Sequence, residues 1–402
     1  MRIAIFPDEY LPESTRVHAK MLHELAKELI SQGNDVVIVT PGVEQQTRLS
    51  VCFYEGVEIW RFRSGLLRGK GKLHRAINES LLSIKCWLAI KKQLDTKPID
   101  ICVNYSPTIF FGPLMYLIKK KCRSNVFLVL RDLFPKWVID EGLIHRKSPI
   151  AYYFRMFEHL NYRVSDTIGL MSETNLKQFG SLYPRYKNTT VLPNWSDCRV
   201  SVQDYSDFNI REKLSLEDKT IFFYGGNIGH AQGITTLLDL ADSMKDIDNC
   251  HFLFIGQGDE VEKLKYILKK NKLDNITYMP AINQIDYLKI LSQVDVGLVS
   301  LAKSHTSNNH PGKILGYMNY SLPILGVLNA GNDLIDIINK EEAGFVFSTD
   351  AKVEDIKSSA VKLLGSKDMM RKMGVNGNRL LKSNYSCKNA SELIINSTSN
   401  RL

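Results

Sequence analysis

The feature that most constrains this chain is a strand-then-helix alternation that runs once and then starts again. Arg2–Phe6 is a short apolar run closed by Pro7. Val17, Met21, Leu22, Leu25 and Leu29 follow at helical spacing, and Gly33 ends that stretch as a glycine just past a helix should. Asp35–Thr40 is a second buried strand, stopped by Pro41-Gly42. Further strands are expected at 57–62, 99–104, 126–130, 167–171 and 190–192. After the polar stretch 197–218 the pattern resumes with strands at 220–224, 252–255, 276–279, 294–299, 323–327 and 344–347. Strands that alternate with helices pair in parallel, with helices on both faces. The expected fold is therefore α/β, with two Rossmann-like doubly wound sheets. The expected domains are 1–196, 197–375 and a C-terminal segment, 376–402, that crosses back to the first. A chain of 402 residues has the length for two such cores.

Charge divides the two halves. The whole net charge of +9 lies before Cys198, and the rest is balanced. A one-sided basic surface suits an anionic partner. The stretch Leu66–Leu94 interleaves lysines and arginines with leucine, isoleucine and Trp87. Such a segment fits either a membrane interface or a core-packing helix with a solvated charged face. The basic residues carry no RNA- or DNA-binding module, so nucleic acid is not expected. The seven cysteines are scattered and without a CxxC pair, which argues against a disulfide framework or a zinc site. With a strand beginning at Arg2 and no run of eighteen apolar residues, neither a leader nor a membrane span is expected.

Doubly wound sheets bind ligands beyond the carboxyl ends of their strands, so the residues after each strand are the candidates. The first strand is followed by Asp8, Tyr10, Glu13 and Arg16, and no GxGxxG is present. Carboxylates and a cation at a helix start can hold sugar hydroxyls and a phosphate. Arg131-Asp132 follows the strand at 126–130, where a charged pair is costly to bury without a partner. In the second half come Gly225, Gly226, Asn227 and Gly229, then Gly256 and Gly258, then Asn308, His310, Gly312 and Lys313. Glycines let backbone approach a ligand, and a lysine at a helix start adds a point charge, so this set suits a diphosphate. Asp246-Ile247-Asp248 has the form of a metal-binding DxD but precedes a strand, which predicts a surface turn on the opposite edge. No cluster has metal-ligand spacing, and no metal or other cofactor is expected.

The segments DEYLPESTRVHAKMLHELAKELISQGNDVVIVTP, RDLFPKWVIDEGLI, VLPNWSD, FFYGGNIGHAQG, FIGQGDE, HPGKILGYM and LPILG resemble the retaining glycosyltransferases of family four, which have the GT-B fold. More narrowly, they are similar to the N-acetyl-L-fucosamine transferases of O-antigen and capsule clusters. The resemblance implies a hexosyltransferase-type enzyme whose two domains face each other across a cleft. It implies a UDP-sugar donor on the second domain, held by Gly225, Gly226, Asn227, Gly229, Gly256, Gly258, Asn308, His310 and Gly312. It implies a polyprenyl-pyrophosphate-linked acceptor on the first, met by Asp8, Tyr10, Glu13 and Arg16. Lys313, Arg131 and Asp132 are then the catalytic candidates. The enzyme would work in the cytoplasm at the inner-membrane face, touching it through the basic N-terminal half. The chain departs from the family where a Glu-x7-Glu pair is usual: those positions are Asn308 and Gly316. The usual Arg and Lys of the glycine loop are Asn227 and Gln232, and the usual His-Asp reads Arg131-Asp132. Two other functions fit the same fold: an epimerase acting on UDP-N-acetylglucosamine, and a sugar-nucleotide-binding subunit without activity.

Overall fold

The computed structural model describes all residues except 15, 43–44, 66–77, 200–207, 305–307 and 400–402. The chain forms two compact units, Met1–Trp195 with Cys387–Leu402, and Ser196–Ser386.

The first unit holds eight strands: β1 (Arg2–Phe6), β2 (Asp35–Gly42), β3 (Leu49–Tyr54), β4 (Val57–Arg63), β5 (Ile101–Tyr105), β6 (Asn125–Leu130), β7 (Thr167–Leu170) and β8 (Thr189–Val191). Their order in the sheet is β3-β4-β2-β1-β5-β6-β7-β8. All neighbours are parallel except β3 and β4. The antiparallel edge strand β3 was not expected from sequence. It is a hairpin on the two-residue turn Glu55-Gly56, where both residues have positive φ, as a twist-matched tight turn requires.

The central strands are buried on both faces. Ile3, Ile5, Ile38 and Val103 face α1 (Val17–Ser31). Ala4, Phe6, Val37 and Val39 face the opposite layer, made of α2 (Leu82–Ile90), α3 (Gly112–Cys122) and α4 (Pro149–Val164). A further helix, α5 (Glu173–Leu182), is capped by Ser172.

The second unit repeats the scheme: β9 (Thr220–Asn227), α6 (Thr235–Ser243), β10 (Cys250–Gln257), α7 (Val261–Asn271), β11 (Ile276–Met279), α8 (Gln284–Leu291), β12 (Val296–Ser300), α9 (Lys313–Asn319), β13 (Ile324–Leu328), α10 (Asp333–Lys340), β14 (Gly344–Ser348), α11 (Val353–Leu364) and α12 (Lys367–Asn384). The strand order is β11-β10-β9-β12-β13-β14, all parallel.

One segment boundary differs from expectation, the one near the C-terminus. Part of the polar stretch 197–218 is built into the second unit: Ile210 and Leu216 are core residues, and Arg211 pairs with Asp295 at 2.6 Å and donates to Gln293 O. The return to the first unit comes at Cys387 rather than 376, because α12 packs on α9 and keeps Leu380, Leu381 and Tyr385 in the second core. The last helix, α13 (Cys387–Ser399), lies against α1, with Ala390 and Ile394 buried beside Leu22 and Leu25.

Candidate active site

In the second sheet the strand order reverses between β9 and β12, since β10 and β11 extend one way and β13 and β14 the other. At such a reversal the loops leaving the two strands part and open a crevice at their carboxyl ends. The loop leaving β9 carries Gly225, Gly226, Asn227 and Gly229, and the loop leaving β12 runs to Lys313. They touch: Ala302 N donates to Ala231 O at 3.0 Å, and a side chain on Gly233 would meet Ala302 Cα at 2.7 Å.

Two of the glycines serve packing between strands. A Cβ on Gly256 would lie 1.8 Å from Gly226 O, and one on Gly258 would lie 2.2 Å from Ile228 O. Gly226 differs. Its φ is +122, and a Cβ there would have no described neighbour nearer than Lys313 Cε at 3.9 Å. It therefore presents bare backbone towards the lysine.

Not every amide expected to face an anion is available. Ile228 N donates to Gln257 O at 2.8 Å, His230 N to Asp259 Oδ1 at 3.2 Å, and Gly225 N to Tyr317 Oη at 3.3 Å. At the start of α9, Ile314 N and Leu315 N turn back on Pro311 O and Gly312 O. The charge at this site thus rests more on Lys313, and less on the loop and helix amides, than the glycine pattern suggests.

Lys313 is the chemically unusual group. Its ammonium is buried and has no hydrogen-bond partner among the described residues. It sits 3.3 Å from the ring centroid of Tyr224, whose hydroxyl is fixed on Asn227 O at 2.7 Å. Burial holds its pKa well below the ordinary lysine value. An amine lodged on an aromatic face without a carboxylate is left for an anionic ligand to charge and pair. Tyr224 carries no signal in the sequence beyond membership of a buried strand, so its part in the site emerges with the fold.

Beyond β13, asparagine side chains tie the strand's exit to the segment before α9. Asn329 Nδ2 donates to Asn308 Oδ1 at 3.4 Å, and Asn332 Nδ2 donates to Asn309 O at 2.9 Å. Asn332 also caps α10 through Leu334 N. His310 is buried next to them in sequence. Gly316 faces only Leu291 Cδ1, at 3.6 Å. Asp246 and Asp248 lie in the turn entering β10, at the amino end of the strand.

In the first sheet the order reverses between β1 and β5. Asp8 and Glu9, just past β1, meet His18 of α1 at 3.3 and 3.7 Å, and Glu9 also pairs with Arg16 at 2.8 Å. The His18 ring stacks on Tyr105, at the end of β5, with centroids 5.6 Å apart. Ligand atoms of Asp8, Glu9 and His18 lie within 4.8 Å of one another. His18, Glu9 and Tyr105 were not singled out from sequence, because a histidine at the second position of an amphipathic helix reads as an ordinary surface residue.

Three expected residues have other partners here. Tyr10 is a core residue, not a surface contact for an acceptor: it is 1% exposed, and its hydroxyl pairs with His23 Nδ1 at 2.7 Å. Glu13 pairs with the buried Arg61 at 3.0 Å. Arg131 donates to Leu192 O at 2.6 Å and Pro193 O at 3.1 Å, and lies 5.5 Å from the Trp195 ring, so it clamps the chain leaving β8. Burial pushes its pKa down to about 10, and pushes Tyr105 up to about 12. Asp132 beside it is exposed.

Residues 206–380, within the second unit, match the model of a family described as Glycosyl transferases group 1. Over 329 residues the chain is 24% identical to WcaI of Escherichia coli, a protein named as a colanic acid biosynthesis glycosyl transferase; the match covers 78% of this chain and 80% of that one. Among solved structures, WaaG, a glycosyltransferase involved in lipopolysaccharide biosynthesis, superposes with a TM-score of 0.67 at 13% identity, over 99% of this chain and 100% of its own. Anabaena HepE, crystallised with UDP and glucose, gives 0.67 at 13% identity over 100% of both chains. Fold and match define the class: a glycosyltransferase of two Rossmann-like domains, with the GT-B architecture. The match to the group 1 glycosyl transferase model lies wholly within the second unit.

Proposed function

We propose that this enzyme moves a sugar from a uridine diphosphate donor to a lipid-linked acceptor sugar in the assembly of a bacterial surface polysaccharide. The observation that carries the reading is the Lys313 ammonium, buried on Tyr224 without a carboxylate, beside the bare backbone of Gly226 at the reversal of the second sheet. HepE, of the same fold, was crystallised with UDP and glucose, and WcaI and WaaG are named for polysaccharide and lipopolysaccharide biosynthesis. The narrower reading takes N-acetyl-L-fucosamine as the sugar and polyprenyl pyrophosphate as the acceptor's carrier, with transfer at the cytoplasmic membrane surface.

As the bond between the anomeric carbon and the diphosphate oxygen breaks, negative charge grows on the departing phosphate. Lys313 stabilises that charge where it develops, and a low-dielectric seat makes the interaction stronger than it would be in water. The acceptor hydroxyl attacks the face the diphosphate leaves, so the anomeric configuration is retained. Its proton goes to the departing phosphate oxygen. A divalent metal is not required, because the lysine supplies the positive charge. Asp8 and Asp132 of the first unit are the carboxylates offered to acceptor hydroxyls.

The test incubates the enzyme with UDP-N-acetyl-L-fucosamine and polyprenyl-pyrophosphate N-acetylhexosamine in the presence of a chelator, and follows the products by mass and their configuration by NMR. A single sugar added with the donor's configuration is the expected result. Loss of transfer on chelation would refute the metal-independent step. An epimer formed from donor alone would replace this reading with the epimerase one.

A further inference from the structure

Three tyrosines among the described residues crowd the exit of β9, and two of them commit their hydroxyls to the protein. Tyr224 donates to Asn227 O at 2.7 Å. Tyr317, on α9, has Leu298 O at 3.1 Å and Phe223 O at 3.3 Å as acceptors, and accepts from Gly225 N at 3.3 Å. Tyr287, in the first turn of α8, differs from both. Its ring is wedged on the diphosphate loop: a Cβ on Gly225 would lie 2.5 Å from its Cε2, and the Phe223 ring centroid is 5.8 Å away. Its hydroxyl makes no hydrogen bond among the described residues, and the residue is half-buried rather than closed off. Burial pushes its pKa up, so the phenol stays neutral in the working range. Burial, and after it the nearby Tyr287, also push up the phenols of Tyr224 and Tyr317, which puts all three hydroxyls in one neighbourhood.

Helical spacing explains the placement. Tyr287 and Leu291 are one turn apart and share a face of α8. Lys313, Gly316 and Tyr317 share a face of α9 by the same rule. Leu291 Cδ1 lies 3.6 Å from a Cβ placed on Gly316, so the two faces meet, and Gly316 puts no side chain between Tyr287 and Lys313. Because α8 follows β11 and runs back along the sheet, its first turn stands at the carboxyl edge, where the crevice opens.

We infer that the Tyr287 hydroxyl binds a hydroxyl of the donor nucleotide beside the diphosphate, either of the ribose or of the transferred sugar. A phenol drawn partly out of water without a partner costs free energy unless a ligand pairs it. A neutral group that both donates and accepts matches an alcohol, which does the same, while phosphate charge falls to Lys313. The ring is held on Gly225 and Phe223, so little rotamer freedom is lost on binding. The inference rests on the donor reading proposed above and adds the side chain that reads the donor's hydroxyls. It concerns the second unit alone; the basic stretch 66–77 of the first lies outside the described residues and takes no part in it.

The test is calorimetric titration of wild type and Tyr287→Phe with UDP, its 2′-deoxy and 3′-deoxy analogues, and UDP-N-acetyl-L-fucosamine. Phenylalanine keeps the ring in place and removes a hydroxyl that has no protein partner, so the urea midpoint should not fall. The expected result is a loss of about tenfold in affinity for the ligand whose hydroxyl is paired. A loss on UDP that disappears with one of the deoxy analogues assigns the contact to the ribose. A loss confined to UDP-N-acetyl-L-fucosamine assigns it to the transferred sugar. Unchanged affinity for all four ligands overturns the inference. So does an equal loss on all four, which would put the phenol on the phosphates. Binding is read without transfer, so two failures stay apart. Wild type that binds no uridine nucleotide removes the donor reading, and this assignment with it. Wild type that binds them all, with a Tyr287→Phe variant that binds them alike, leaves the donor reading standing and dismisses Tyr287.

Discussion

At the residue scale the molecule turns on a few side chains whose neighbours are far away in sequence. Lys313 has no hydrogen-bond partner among the described residues, so burial depresses its pKa. Between that lowered value and the ordinary one the unfolded chain binds more protons, so this group makes stability rise with pH through that window. A bound diphosphate restores the ammonium. UDP binding should therefore take up protons, approaching one per site as pH rises above the depressed pKa, and calorimetry in buffers of different ionisation heat measures it. Lys313→Ala should lower turnover about 100-fold or more and remove the proton uptake. Near-normal turnover would dismiss the lysine from the chemistry. Two glycines give opposite outcomes. Gly256→Ala forces a methyl to 1.8 Å from Gly226 O and should cost about 3 kcal/mol and weaken UDP binding. Gly316→Ala meets only Leu291 at 3.6 Å inside a helix and should stabilise by up to about 1 kcal/mol, read by denaturant titration.

At the element scale the returning helix α13 is the clearest dependence. It contributes Cys387, Ala390 and Ile394 to a core shared with β1, β2, β4, β5, β6 and α1. Gln32 of α1 also donates to Ser391 Oγ at 2.7 Å. Ile394 is fully buried, so Ile394→Ala leaves a cavity and should destabilise the first unit by about 3 kcal/mol in urea unfolding. An unchanged midpoint would show that α13 adds no stability there. The hairpin β3–β4 shows a limit of periodic reading. Its edge strand alternates between half-buried and exposed positions, and the signal that identifies it is the Glu55-Gly56 turn rather than an apolar run.

At the scale of the whole molecule, two cores joined by two crossings should melt with some independence. The donor reading places the diphosphate on Ser196–Ser386. Saturating UDP should raise the transition of that unit by mass action, by about 2.7 kcal/mol at a hundred times the dissociation constant, and move the other less. Scanning calorimetry on the full chain reads both transitions. An equal shift of both would show the two cores to be one cooperative unit.

Apart from the edge strand β3, the order of strands and helices, the two sheets and the loops that carry Gly226, Lys313 and Asp8 were legible along the chain. Those signals are local: apolar period, glycine and proline stops, and the rule that parallel sheets gather ligands at one edge. What the loop side chains touch was not legible. Tyr10 was read as an acceptor contact and is held by His23; Arg131 was read as a catalytic candidate and clamps Leu192 and Pro193; Glu13 was read as acceptor-facing and pairs with Arg61. Trp195 reaches Met21 O across 174 positions, and Lys313 reaches Tyr224 across the sheet reversal. Periodicity records which face of an element turns inward. Which polar group a buried side chain meets there depends on how distant segments come together, and only the folded chain decides that.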